Sequence, residues 1–173
     1  MAGNRVGKTQ AGAYETTLHL TGLYPEWWTG KRFDRPVKAW ACGDTSKTTR
    51  EVLQEELYGR LSNPGTGMIP GDLLTHRTTK QGIAEAIDTI YVKHSSGGTS
   101  SVTLKSYQEG RESFQSAAID WIWMDEEPPE PLYVEAVMRT MTTGGEVVIT
   151  FTPLQGLSAV VLSFLPDGLP AGE

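Results

Sequence analysis

At 173 residues and 38% hydrophobic content the chain is the size of one domain with enough apolar side chain for a real core, which excludes disorder as its resting state. A formal charge of −6 excludes a surface that coats nucleic acid all over; the one basic stripe, Lys31, Arg32, Arg35 and Lys38, has as its plainer reading a solvated loop before a strand. The single cysteine, Cys42, excludes an internal disulfide, no apolar run is long enough to span a bilayer, and residues 1–15 lack a signal pattern, so an intracellular protein is expected.

The chain opens on Ala2-Gly3-Asn4-Arg5-Val6-Gly7-Lys8-Thr9, which matches the tail of G-x-x-x-x-G-K-[ST] with alanine where the first glycine usually stands. In such a phosphate-binding loop the backbone N–H groups of Gly3, Asn4, Arg5, Val6 and Gly7 face a nucleotide's phosphates. Lys8 neutralises the β and γ charges, and the Thr9 hydroxyl binds Mg²⁺. Such a loop normally follows a strand, and almost no sequence stands in front of this one.

Residues 8–22 are predicted to form the helix leaving the loop, with Ala11, Tyr14 and Leu18 on one face and Pro25 as its stop. Trp27 and Trp28 are expected as a packed corner. Residues 37–42 read as a strand that buries Cys42, after which Thr48 and Glu51 have capping-box spacing and Leu53, Leu57 and Leu61 form a helical stripe. Residues 63–67 are turn chemistry, and 69–82 form a connector without a clear period. Two β-biased runs, 87–94 and 101–107, flank a Ser/Gly-rich turn and predict a hairpin. Residues 119–124 form a compact apolar strand, 131–141 a helix and 146–151 a further strand, with a linker or truncated end over 159–173. Strands alternating with helices imply an α/β fold, an open parallel sheet with helices on both faces.

The second constellation is Trp121-Ile122-Trp123-Met124-Asp125-Glu126, an apolar strand ending in two acids. Opposite a phosphate loop, Asp125 suits a Mg²⁺-coordinating role and Glu126 that of the base that polarises water. Taken alone the pair also reads as an acidic turn ahead of Pro128 and Pro129. Thr150, Thr152 and Pro153 close the last strand, where hydroxyls at the carboxyl end of a parallel sheet are candidates to sense a γ-phosphate. Arg5 and Arg139 are candidates for stabilising transition-state charge. The three histidines, His19, His76 and His94, lack metal-ligand spacing, so zinc is not expected.

With these motifs in hand, the chain resembles the ATPase domain of the large terminase subunit of tailed bacteriophages. The likeness rests on residues 2–9, on residues 19–28, on residues 120–128, and on Thr150-Phe151-Thr152-Pro153-Leu154-Gln155-Gly156. It implies a P-loop NTPase of the additional-strand class, a three-layer parallel sheet flanked by helices, here without the strand before the loop. It implies ATP and Mg²⁺ at residues 3–9 with Asp125 and Glu126, and Thr150 to Pro153 as the segment that couples hydrolysis to movement. The partners implied are double-stranded DNA, a portal protein, a small terminase subunit and a homo-oligomeric ring, in host cytoplasm and transiently on a prohead. Family members also carry an adenine-contacting region before the loop and a nuclease after the ATPase, so residues 1–158 read as a partial ATPase domain, a fragment. Two other readings stay open, a helicase-like DNA-dependent motor and a remnant that no longer binds nucleotide.

Overall fold

The computed structural model describes residues 7–115, 117–152, 156 and 158–164. Helix α1 (Lys8–Thr21) starts at Gly7, whose φ of +81° lies in the left-handed region that favours glycine, and stops at Gly22 (φ +68°), whose N–H reaches the Leu18 carbonyl at 2.8 Å. The stop therefore precedes Pro25. The face that packs is only partly the expected one: Leu18 is buried, but Ala11 and Tyr14 are exposed, and Gly12, Ala13, Thr16, Thr17 and Leu20 are buried in their place. Small and hydroxyl side chains win this face because α1 lies over two strand tryptophans. Thr17 and Thr21 bond back to carbonyls four residues earlier, and Thr16 accepts the Trp121 indole N–H at 2.9 Å.

Strand β1 (Lys38–Gly43) leads to one helical passage made of α2 (Ser46–Thr48), a π-helical stretch Thr49–Gln54 and α3 (Glu55–Tyr58). Its N-cap is Thr45, whose Oγ1 accepts the Thr48 N–H at 3.0 Å, so the cap lies three residues before the expected Thr48–Glu51 box. Leu53 and Leu57 are buried, but Leu61 lies beyond the helix and packs from a turn. Strands β2 (Gly59–Arg60) and β3 (Asn63–Pro64) form a minimal antiparallel pair. The unassigned connector contains β4 (Leu74–Thr79), an exposed edge strand. Strands β5 (Ile87–Lys93) and β6 (Thr99–Ser106) form the expected hairpin, and β7 (Trp121–Asp125), α4 (Glu130–Met141), β8 (Glu146–Thr150) and the short α5 (Ala159–Ser163) complete the described chain.

Six strands make one sheet in the order β4-β5-β6-β1-β7-β8, parallel from β6 to β8 and antiparallel through β4, β5 and β6. The fold is α/β as expected, with a mixed sheet because the hairpin returns directly instead of crossing over a helix. Along the central strands both faces are buried. Ala39, Ala41, Trp121 and Trp123 face α1 and α3, while Trp40, Cys42, Ile122 and Met124 face Leu132 and Ala136 of α4. That two-sided burial explains the near-continuous apolar run of β7. Burial also pushes the Cys42 thiol up, so it stays protonated. Trp28 is half-buried, but Trp27 is 65% exposed and stacks on Tyr14 at the surface, which removes it from the expected core. Among the described residues no helix is long and apolar enough to cross a membrane.

Helix α1 approaches β7 very closely. A Cβ built on Gly12 would lie 2.2 Å from the Trp123 indole nitrogen, and Trp123 is fully buried with no room to yield. Gly12→Ala in a helix interior would by propensity alone add about 1 kcal/mol of stability. We expect the opposite sign here, a loss of roughly 1–3 kcal/mol from overpacking, read by denaturant unfolding. A gain would mean that α1 does not lie against Trp123.

Candidate functional site

The carboxyl ends of β1, β6, β7 and β8 share one edge of the sheet, and the amino end of α1 comes to that edge. Asp125 is the last residue of β7 and is only 5% exposed. The Thr9 hydroxyl, in the first turn of α1, donates to its carboxylate with oxygens at 3.1 and 3.2 Å, and the Thr150 hydroxyl, the end of β8, donates to Oδ1 at 2.7 Å. Thr150 Oγ1 accepts in turn from the Trp123 indole N–H at 2.7 Å. Because an indole nitrogen only donates, this bond turns the Thr150 proton toward Asp125. Three segments far apart in sequence thus meet on one carboxylate.

Glu126 follows with φ +67°, one of two non-glycine residues with positive φ among those described, and its side chain is exposed. Its N–H donates to the Thr150 carbonyl at 2.9 Å, while the Tyr107 hydroxyl lies 3.1 Å from the Asp125 carbonyl oxygen and 2.9 Å from that of Glu126. Burial raises the Asp125 carboxyl above its usual range, opposed by the hydrogen bonds from Thr150 and Thr9 and by the charge of Lys8. The Glu126 carboxyl is raised by burial and then by the Asp125 charge, and lowered by Lys8. The pair therefore forms an acidic centre with Lys8 nearby and a hydroxyl on either side of the inner carboxylate.

Of the residues singled out from the sequence, the fold brings Gly7, Lys8, Thr9, Asp125, Glu126 and Thr150 to one edge. Thr152 is half-buried just past the end of β8. Gly3, Asn4, Arg5, Val6 and Pro153 lie outside the described residues. Arg139 is elsewhere: it pairs with Glu135 at 2.9 Å, and its carbonyl accepts from the N–H of Ile119, ahead of β7, which puts it at the opposite end of the sheet. The basic stripe is at that end too, with Arg35 paired to Asp120 at 2.7 Å and Lys31 bonded to the Gly144 carbonyl. Trp123 and Tyr107 belong to the site but carry no sequence signal for it. An apolar strand residue and a tyrosine after a hairpin read as core.

Among the described residues there is no group of three or more His, Cys, Asp or Glu side chains able to hold a metal ion by themselves. The Thr9 hydroxyl and Asp125 carboxylate are instead a pair of hard oxygen donors a hydrogen bond apart, a donor set that suits Mg²⁺ completed by water and phosphate oxygens.

A family model described as terminase large subunit, T4likevirus-type, N-terminal, matches residues 1–170. The chain is 37% identical over 187 residues to the protein named terminase, large subunit, of Salmonella phage P22, a match covering 96% of this chain and 38% of that relative's length. No solved structure matches.

The raised acids carry a stability signature. A carboxyl whose pKa is higher in the folded chain holds its proton more tightly there, so its stabilising contribution is complete below the unfolded value and is lost as pH rises through the folded one. Asp125→Asn keeps an acceptor for Thr150 and removes the buried charge. The nucleotide-free variant is expected to melt above the parent at neutral pH, with the gap closing on acidification. A variant that melts lower at neutral pH would show that the charge is compensated in place.

Proposed function

The chain belongs to the terminase large-subunit family, within its N-terminal region, and on that premise we propose that it binds and hydrolyses ATP as the motor portion of a machine that packages viral DNA. The chain spans 38% of the length of the P22 relative, and the activity and partners of the whole machine are therefore part of the proposal. The observation that carries the reading is the meeting of Thr9, Asp125 and Thr150 at one sheet edge.

In this reading the fold is a P-loop NTPase of the additional-strand class. A parallel strand entering Gly7 would pair with the outer edge of β8, which has no partner among the described residues and whose Val147, Val148 and Ile149 are half-buried although apolar. Residues 3–7 would turn backbone N–H groups toward the phosphates, and Lys8 would place its charge beside the β and γ groups. Thr9 and Asp125 would hold Mg²⁺, which when bound withdraws charge from the phosphate oxygens. Glu126, exposed and with its affinity for protons raised by its surroundings, orients the attacking water and takes up its proton. Arg5 is the proposed in-loop stabiliser of developing charge.

Thr150 touches Asp125 directly, so a change at the inner carboxylate would move the end of β8, and Thr152 and Pro153 would carry that change onward. We propose this as the coupling segment between hydrolysis and translocation of double-stranded DNA, in a homo-oligomeric ring on a portal protein with a small terminase subunit presenting the DNA, in host cytoplasm.

The two acids are expected to fail differently. Glu126→Gln should retain Mg²⁺-dependent binding of ATP while turnover falls by roughly a hundredfold or more, since it removes the base and leaves the metal donors. Asp125→Asn should weaken Mg²⁺-dependent binding itself, and Lys8→Ala should abolish hydrolysis. Equal loss of nucleotide binding in both acid variants would contradict the division of roles, and near-normal turnover in Lys8→Ala would remove the ATPase reading.

A further inference from the structure

Glu126 holds a backbone conformation that opposes its own side chain. For an L residue with a Cβ the left-handed region is strained, and such a conformation persists only where its surroundings over-determine it. Two contacts do so. The Glu126 N–H is taken by the Thr150 carbonyl at 2.9 Å, and the carbonyls on both sides of its amide and Cα, those of Asp125 and Glu126, converge on the single hydroxyl of Tyr107 at 3.1 and 2.9 Å.

Tyr107 is well placed to impose a shape instead of adapting to one. The residue is 7% exposed, and it packs in the core with Phe114 and Met124. Its backbone opens a 3₁₀ turn, Tyr107–Glu109, locked by a capping box in which the Ser106 N–H donates to Glu109 Oε1 at 2.9 Å. Glu109 is held in turn by Lys80, and the Ser106 hydroxyl lies 3.2 Å from that of Ser46. The support comes from the end of β6, which is separated from β7 by β1. Losing the hydroxyl would leave two peptide carbonyls without their shared donor and free the turn to relax out of the left-handed region.

We propose that Tyr107 is a positioning residue for Glu126, its hydroxyl clamping the Asp125 and Glu126 carbonyls so that the Glu126 carboxyl is held in its working direction. Its consequence for catalysis rests on the proposed ATPase activity; its structural content does not.

Tyr107→Phe removes the hydroxyl and keeps the buried ring. In this chain, amide hydrogen exchange at Glu126 is expected to accelerate by roughly tenfold, the equivalent of one lost hydrogen bond, while the amides of β7 keep their protection. In a Glu126→Gly background, where left-handed backbone carries no Cβ penalty, removing the hydroxyl should change exchange at position 126 much less. In turnover, kcat should fall by roughly tenfold with KM and the affinity for a non-hydrolysable ATP analogue within about twofold of the parent. Unchanged exchange at Glu126 would overturn the proposal, as would equal acceleration throughout β7 or a parallel loss of kcat and analogue affinity, which would mark Tyr107 as ordinary core. If the parent chain neither binds nor hydrolyses ATP, the ATPase reading falls, and the exchange comparison still decides whether Tyr107 holds Glu126.

Discussion

The site depends on one buried carboxylate that, among the described residues, is held by two hydroxyls. Asp125 ends a strand that is covered on both faces, and what reaches it there are two hydroxyls, with the Lys8 charge near enough to lower its pKa. Hydroxyl donors cannot neutralise a carboxylate, so burial keeps its proton affinity high. A bidentate arginine would satisfy the group better and would also close it to any ligand. The arrangement leaves a buried carboxylate oriented by two hydroxyls, one from α1 and one from β8.

That carboxylate can be reached from α1 only because α1 lies unusually close to β7. The approach is set by Gly12 under the Trp123 indole and by hydroxyl residues on the buried face of the helix. Trp123 does two jobs at once. Its ring is the floor for α1, and its N–H orients the hydroxyl of Thr150. A shift of the amino end of α1 is therefore felt at the end of β8 through packing as well as through Asp125. The packing and the polar network are one mechanical unit, and either would be weaker alone.

Much of the site is readable in the residues. The acids after an apolar strand, the glycine, lysine and threonine at the start of α1 and the threonine closing β8 announce themselves because their chemistry demands residue types that a core would not choose. The hairpin of β5 and β6 is readable from a Ser/Gly turn between β-biased runs. What stays hidden follows from tertiary context. The apolar spacing of α1 is right for Leu18 but wrong for Ala11 and Tyr14, because the helix packs on tryptophans and glycine and threonine are buried against them. Strand β4 escapes notice because it is an exposed edge whose polar residues have no alternation to show. Tyr107 is invisible because its job is done by one oxygen on a ring that otherwise packs as core.

The two ends of the sheet are built on opposite electrostatic plans. Where the strands begin, Asp120 meets Arg35 at 2.7 Å, and midway along α4 Glu135 meets both Arg139 and Arg111, at 2.9 and 3.1 Å, so both of these buried acids are paired with a guanidinium. Where the strands end, Asp125 and Glu126 have no arginine partner among the described residues. Breaking a pair at the first end strands a buried charge and costs stability; removing the Asp125 charge at the second relieves one. Arginine thus secures the end of the sheet where the strands begin. At the other end, among the described residues, the fold holds a carboxylate bonded by hydroxyls and a glutamate with left-handed backbone, and supports both with neutral donors.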